Sequence, residues 1–271
     1  MIGTDGFSLA IFGTKVSDSD KKSKKELVLT DDGTVTLFSK EFNETYHSSY
    51  DGALHETLEK HVIPSFTFQK AKKDVKILDI CFGLGYNVLA TLYYIKKENL
   101  STRVHIISPE FDESLIRSLS SFEYPKEFDE FKATITELSQ NFYYEDEQFK
   151  IEILLGDARE IIPHIKEKFD VIYQDAFSPQ QNPLLWTREY FTDIRAVSSD
   201  DAILTTYSTA IATRMGLYEN GFKIFVHYGD GVRYSTLASP IMLESEYIDM
   251  ELKKSRNSLA KSLRDNDYLS R

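Results

Sequence analysis

The sequence predicts an α/β fold in which a mostly parallel sheet with an antiparallel C-terminal edge follows a small β-rich unit. From residue 75 onward, short apolar segments alternate with helical stretches, which is typical of parallel strands joined by crossover helices. Before that point, two β-branched runs flank the dipeptide Asp32-Gly33, a strong signal for a β-hairpin. The composition, 41% hydrophobic and 28% charged, is that of a globular protein.

We expect three parts along the chain: residues 1–70, 71–245 and 246–271. In the first part, residues 26–39 predict the hairpin, and residues 54–63 have helical spacing that should end at Pro64, because proline disfavours a helical conformation in the residue before it. The third part is a charged tail, for which a helix and disorder remain equal alternatives.

The central part contains the alternating elements of the sheet. Parallel strands are predicted at residues 75–80, 103–108, 151–155, 171–174 and 202–206. Helices are predicted between them, near residues 86–97, 112–120, 126–141, 158–168 and 184–197. Two later segments, residues 222–227 and 234–237, predict the antiparallel edge.

Composition narrows the class of protein. The 271 residues carry a net charge of -11, which by itself argues against a general nucleic-acid binder. The single cysteine, Cys81, excludes an internal disulfide, and without zinc-type spacing we expect no metal site. The most apolar window contains Asp79 and Asn87, which are too polar for a membrane span, and the first residues do not resemble a signal peptide. We therefore expect a cytoplasmic protein with no membrane partner.

A glycine-rich turn follows the first strand of the central part. It contains Gly83 and Gly85 and leads into a helix, so backbone amides can approach a ligand closely. The turn lacks the lysine of a phosphate-binding loop. Taken alone, it also fits an ordinary tight turn.

Acidic residues at four successive strand ends strengthen the interpretation of this turn as a ligand site. Asp79, Glu110, Asp157 and Asp175 occupy these positions. An acid after the second strand suits ribose hydroxyls, and one after the third suits an exocyclic amine. Each alone also fits a helix cap. Together they predict a nucleoside cofactor without a phosphate, namely S-adenosylmethionine.

Several longer motifs resemble one family, the MnmC-type tRNA 5-aminomethyl-2-thiouridine methyltransferases. They are DGTVTLFSKEFNETYHSSYDGALHE (32–56), ILDICFGLGYN (77–87), LLGDARE (154–160), DAFSPQQNPLLWT (175–187), STAIATRMGLYENGF (208–222) and YGDGVRYSTLAS (228–239). The resemblance implies a Rossmann-like class I methyltransferase fold without the oxidase domain of bifunctional members. It also implies methylation of a 5-aminomethyl group on the wobble (2-thio)uridine, with the tRNA anticodon stem-loop as partner.

Strand-end acids and resemblance together assign the site residues. Cofactor binding is expected of Asp79, Phe82, Gly83, Gly85, Asn87, Glu110, Asp157, Ala158 and Asp175. Substrate contacts are expected of Tyr46, His47, Phe177, Pro179, Trp186 and Arg233. Asp175 is the candidate catalytic residue, chiefly because its carboxylate would orient the substrate amine. Cys81 stands where family members commonly have glycine, which we expect to require φ below zero there.

Three alternatives stay open at this stage. Trp186 and His47 also fit purely structural roles. A spermidine synthase-like aminopropyltransferase would share the β-rich unit and Tyr46-His47. A catalytically inactive RNA-binding scaffold is the third reading.

The distribution of charge weakens the argument against RNA. Residues 110–152 hold 12 acidic and four basic residues, so most of the negative charge lies there. A phosphate-contacting face is expected from the tail and from Lys21, Lys22, Lys24, Lys25, Lys70, Lys72, Lys73, Arg214 and Arg233.

Overall fold

The computed structural model describes residues 24–269. The chain opens with a small antiparallel sheet whose strands are β1 (Lys25–Leu29), β2 (Val35–Ser39) and β3 (Glu44–Thr45). The turn at Asp32-Gly33 joins the first two strands, and Gly33 there has φ +81°, a conformation that glycine adopts without strain. The predicted hairpin is confirmed.

A nine-stranded sheet forms the centre of the described chain. Its strands are β4 (Asp74–Ile80), β5 (Arg103–Glu110), β6 (Tyr143–Glu145), β7 (Phe149–Leu155), β8 (Phe169–Gln174), β9 (Ser198–Thr206), β10 (Lys223–His227), β11 (Ser235–Ser239) and β12 (Glu246–Ile248). They lie in the order β12-β10-β11-β9-β8-β4-β5-β7-β6. The five strands from β9 to β7 are mutually parallel, whereas β11, β10, β12 and β6 are antiparallel to their neighbours. The predicted fold class is confirmed.

Helices cover both faces of this sheet. They are α1 (Ala53–Thr57), α2 (Ile63–Gln69), α3 (Tyr86–Lys97), α4 (Glu113–Ser118), α5 (Lys132–Asn141), α6 (Ala158–Ile161), α7 (Arg188–Val197), α8 (Ile211–Glu219) and α9 (Met250–Arg256). Side chains alternate between the two faces: Ile77 packs with α1 to α5, and Leu78 packs with α6 to α9. Within the described residues, no helix is both long and apolar enough to cross a membrane.

The helix predicted to end at Pro64 continues past it, so that prediction is wrong. A π-helical turn, Leu58–Val62, joins α1 to α2, and Pro64 falls in the first turn of α2. The first amides of a helix have no partner within it, so proline is tolerated there. The π-helical turn therefore joins α1 and α2 into one continuous helical segment, residues 53–69.

The C-terminal segment packs against the central sheet. Strand β12 extends the antiparallel edge, and α9 follows it. Further on, the Asp265 carboxylate accepts hydrogen bonds from the Arg159 guanidinium and from the Thr187 hydroxyl. Of the two alternatives left open for this tail, the structure has the ordered one, with a helix. Helix α8 was absent from the predicted elements.

Candidate active site

The glycine-rich turn lies at the switch point of the sheet, where β4 pairs with β5 on one side and β8 on the other. Cys81, Gly83 and Gly85 have φ of +68°, +55° and +73°. The expectation of negative φ at Cys81 is wrong, because the chain passes from β4 to α3 through alternating left-handed residues. A non-glycine residue held there stores strain of about 1–3 kcal/mol.

A main cavity of about 830 Å³ opens above this turn, within the usual size range of small-molecule sites. The predicted site residues that line it are Tyr46, His47, Phe82, Gly83, Asn87, Glu110, Asp157, Ala158, Asp175, Phe177 and Arg233. Eight carboxylate side chains line the cavity against five lysines and arginines. The excess of negative charge favours a cationic ligand, such as a sulfonium or an ammonium.

Glu110 and Asp157 occupy neighbouring strand ends in the wall of this cavity. The buried Glu110 carboxylate accepts the Gly83 amide at 2.9 Å and the Asp112 amide at 2.8 Å. Burial raises the pKa of Glu110, although these two hydrogen bonds act to lower it. The Asp157 carboxylate accepts the Arg159 amide at 2.8 Å and caps α6. Each carboxylate oxygen accepts more than one hydrogen bond, so both acids can still bind a ligand.

Asn87 connects two of the strand-end acids. Its Nδ2 donates to Asp79 Oδ1 at 2.9 Å and to Asp175 Oδ2 at 3.0 Å. Its Oδ1 is buried without a hydrogen-bond partner among residues 24–269. Because Asn87 also lines the cavity, this free acceptor suits an N–H donor on a ligand, such as the ammonium of a methionine moiety.

Asp79 does not line the main cavity, which corrects its assignment to direct cofactor contact. It is fully buried behind the turn, where it also accepts a hydrogen bond from the Ser108 hydroxyl at 3.1 Å. Burial raises the pKa of Asp79 to about 8. Its carboxyl group therefore supports Asn87 from behind the site.

Asp175 follows β8 directly, and its side chain is 16% exposed. Burial alone would raise its pKa, but His61, His47 and the Asn87 amide together hold the pKa below its usual value. Asp175 is thus a carboxylate at neutral pH. It can accept a hydrogen bond from a bound amine.

His61 was missed by sequence reasoning. It lies in the π-helical turn, with Nε2 3.4 Å from Asp175 Oδ1 and Nδ1 2.9 Å from the Thr205 hydroxyl. In the sequence it falls within an ordinary helical pattern next to Lys60, which pairs with Asp51. Only the proline three residues later indicated an irregular helix, and irregular turns of this kind are frequent at functional sites.

The N-terminal sheet closes one side of the cavity. Phe42 stacks on Phe177 with ring centroids 4.4 Å apart, and Tyr46 meets the same ring edge-on at 5.0 Å. Glu44 accepts the Ser178 amide at 2.8 Å, tying the sheet to the loop after Asp175. The aromatic side chains of Phe42, Tyr46 and Phe177 thus form an apolar wall of the cavity that Asp175 also lines.

His47 also lines the cavity from the N-terminal sheet. Its Nδ1 is 3.1 Å from the Thr36 hydroxyl, and its ring contacts Tyr86. Burial lowers the pKa of His47, so its imidazole is neutral at neutral pH. A neutral imidazole in this position can accept a hydrogen bond from a bound substrate or donate one to it.

Besides Asp79, three predicted residues lie outside the cavity wall. Trp186 is fully buried, and its indole N–H donates a hydrogen bond to the Phe177 carbonyl. It therefore supports the loop from the core, and the prediction that it forms the wall of the pocket is wrong. Pro179 lies further along the loop, away from the lining. Gly85 caps α3 behind the turn, where a Cβ would lie 2.7 Å from the Phe82 ring.

The predicted phosphate-contacting face is only partly assembled. Lys25 lines the main cavity, and Lys21 and Lys22 lie outside the described residues. Lys72 pairs with Asp170 at the amino end of the parallel strands, the opposite end from the cavity. The prediction that Lys72 shares one face with Lys25 is therefore wrong, because the two residues lie at opposite ends of the parallel strands.

Comparison with known proteins identifies the family. The model for the S-adenosyl-L-methionine-dependent methyltransferase family matches residues 123–239. A crystal structure of MnmC2 from Aquifex aeolicus superposes with a TM-score of 0.78 and 31% identity, covering 93% of this chain and 82% of that one. The chain belongs to the MnmC-type methyltransferase family. Accordingly, the protein is a methyltransferase whose cofactor is S-adenosylmethionine.

Curated relatives agree with this family over part of their length. An uncharacterized protein of Methanocaldococcus jannaschii is 32% identical over 207 residues, which are 75% of this chain and 56% of that protein. A bifunctional protein MnmC of Pseudoalteromonas atlantica, named for tRNA 5-methylaminomethyl-2-thiouridine biosynthesis, is 27% identical over 78% of this chain. The chain spans about 33% of that MnmC protein.

Proposed function

We propose that this MnmC-type methyltransferase N-methylates the 5-aminomethyl group on the wobble (2-thio)uridine of tRNA, giving the 5-methylaminomethyl product. The observation that carries the proposal is the ionised Asp175 carboxylate, which lies in an acidic cavity between Asn87 and His61. The name of the bifunctional relative supports the choice of tRNA.

The residues around the turn fit the cofactor. The free Oδ1 of Asn87 suits the methionine ammonium, Glu110 suits the ribose hydroxyls, and Asp157 suits the adenine amine. S-adenosylmethionine supplies an electrophilic methyl group when bound. The carboxylates around it favour its positive sulfonium charge over a neutral competitor.

The substrate amine must be neutral to attack, yet an alkyl amine is mostly protonated in water. Asp175 accepts one N–H and fixes the direction of the lone pair, so much of the rate comes from orientation. The ammonium loses its proton to water in the open cavity, because the lowered pKa of His47 makes its imidazole a weak proton acceptor. The apolar rings of Phe177 and Tyr46 line the cavity and reduce hydration of the ammonium, which opposes the effect of the nearby carboxylates on the pKa of the amine.

An aminopropyltransferase remains a second candidate because of one observation. Asp51 lines the cavity, and its Oδ1 is buried without a partner among the described residues, which suits a second amine on a polyamine. Incubation with putrescine and decarboxylated S-adenosylmethionine distinguishes the two. The inactive-scaffold reading predicts no shift in melting temperature with S-adenosylmethionine, whereas a cofactor site predicts a rise.

The proposal is tested in cells by removing the protein and analysing wobble nucleosides from tRNA by mass spectrometry. We expect 5-aminomethyl uridines to accumulate and their methylated products to disappear, with wild-type protein restoring them. The Asp175→Asn variant should fail to restore them. An unchanged nucleoside profile in cells lacking the protein would contradict the proposal.

A further inference from the structure

A second cavity, of about 730 Å³, lies at the antiparallel edge of the sheet between α8, α9, β10 and β12. Tyr234 lines both this second cavity and the main cavity. The two spaces therefore share a wall. None of the residues used for methyl transfer above lines the second cavity.

Arg214 is the most unusual residue of the second cavity. Arg214 is only 8% exposed, and its Nε donates a hydrogen bond to the Thr236 hydroxyl at 2.9 Å. Its Nη2 is buried with no acceptor among residues 24–269. Burial lowers the pKa of Arg214, since no carboxylate compensates its charge. An anionic ligand would supply the missing acceptor.

The other charged side chains of the cavity favour an anion modestly. Lys253 and Arg256 come from the last turn of α9, where basic residues are exposed. Two acids, Glu246 and Asp249, also line the cavity. The Asp249 carboxylate caps α9 by accepting the Leu252 amide at 2.8 Å, and the Glu246 carboxylate accepts a hydrogen bond from the Tyr228 hydroxyl, so three cations face two acids that are both already hydrogen-bonded.

Exposed tyrosines line the same cavity. Tyr228 and Tyr234 are 64% and 52% exposed, with ring centroids 6.3 Å apart, and Tyr247 is 42% exposed. Exposed aromatic rings beside cationic side chains are the usual platform for unstacked bases of single-stranded nucleic acid.

We propose, resting on the proposed action on tRNA, that the second cavity holds a nucleotide of the RNA next to the one being methylated. Its phosphate is bound by Arg214, Lys253 and Arg256. Its base stacks on Tyr228 or Tyr234. Since Tyr234 separates the cavities, consecutive nucleotides of one unstacked strand can occupy both.

The test measures binding of a fluorescent anticodon stem-loop RNA by anisotropy, over a series of salt concentrations. The variants are Tyr228→Ala, the double variant Lys253→Gln/Arg256→Gln, and Arg214→Gln. The matched controls are Tyr143→Ala and Lys132→Gln, which lie at or beside the opposite edge of the sheet, near β6. Affinity for S-adenosylmethionine, measured by calorimetry, shows whether each variant is folded.

We expect Tyr228→Ala to weaken RNA binding about tenfold, the usual effect of removing one ring that stacks on a base. The double variant should weaken binding and reduce the slope of log K against log salt by about one for each phosphate that the protein no longer neutralises. Both controls should match wild type. Because the tyrosine and double variants change exposed side chains, the test stands even if Arg214→Gln fails to fold.

The outcomes separate this inference from the proposed function. Wild-type binding that the variants weaken supports the second cavity, whether or not the RNA is methylated. Variants that bind like wild type overturn it and leave the proposed methylation intact. If adenosine monophosphate displaces the labelled RNA as strongly as unlabelled RNA does, the inference is also overturned. It is likewise overturned if the wild-type protein binds no RNA.

Discussion

His61 Nε2 lies 3.4 Å from Asp175 Oδ1, and Nδ1 of the same ring lies 2.9 Å from the Thr205 hydroxyl. The imidazole is therefore fixed between a strand of the sheet and the carboxylate at the site. His61 is nearly fully buried and does not line the main cavity. It acts on the reaction through Asp175, as a positioning residue.

We expect His61→Asn to lower kcat about tenfold to hundredfold while cofactor affinity stays near wild type. Removing His61 takes away a main cause of the lowered pKa of Asp175. The acidic limb of the pH–rate profile, which reports ionisation of Asp175, should therefore move to higher pH. His105→Asn, which breaks a similar contact with Glu152 on the sheet, serves as control. An unmoved acidic limb would show a purely structural role.

Cys81→Gly should stabilise the protein by about 1 kcal/mol, because φ of +68° is strained for cysteine and not for glycine. The greater freedom of glycine in the unfolded chain offsets part of this gain. Urea unfolding measures the change. Cys81→Ala keeps the strain and is the matched control, so a glycine variant no more stable than the alanine variant contradicts the prediction.

Asp79→Asn should remove a loss of stability that builds up between about pH 4 and about pH 8. The folded-state pKa of about 8 is above the unfolded value of 3.8, so the stabilisation by the protonated carboxyl group is fully present below the unfolded value, declines as the pH rises from there, and is gone above about pH 8. The slope is at most about 1.4 kcal/mol per pH unit. Melting temperatures measured from about pH 5 to about pH 8 should fall less steeply with rising pH in the variant. Parallel curves for both proteins would remove Asp79 as the cause.

Glu110→Gln should weaken S-adenosylmethionine binding about tenfold, the effect of weakening a charge-assisted hydrogen bond. Calorimetry measures it directly. Glu113→Gln is the control, since Glu113 is nearby but pairs with Arg117 on the surface. Equal affinities for wild type and Glu110→Gln would sink the assignment of Glu110 to the ribose.

The fold and the strand-end acids followed from the sequence because each depends on local pattern. Apolar runs such as Val75–Ile80 fix the strands, and topology alone brings Glu110 and Asp175 to one edge. The predictions that were wrong depended on exact backbone geometry. The π-helical turn that aims His61 and the positive φ of Cys81 have no signature in hydrophobic spacing.

The roles of buried residues also could not be predicted from the sequence. Trp186 and Asp79 stand in site motifs, yet both lie one layer behind the cavity. Whether a side chain faces a pocket or the core depends on loop packing, which here includes the contact of Phe42 with Phe177 across two parts of the chain. Arg214 was expected on a surface, but burial leaves it in the wall of a second cavity.

Methyl transfer by the purified protein tests the central claim most directly. Wild type and Asp175→Asn would be incubated with labelled S-adenosylmethionine and tRNA carrying 5-aminomethyl uridine, and the digested nucleosides analysed by mass spectrometry. We expect label in 5-methylaminomethyl uridine with wild type, and at least about a hundredfold loss in Asp175→Asn with cofactor binding retained. Label absent from tRNA with cofactor-bound wild type, or turnover unchanged in Asp175→Asn, would contradict it.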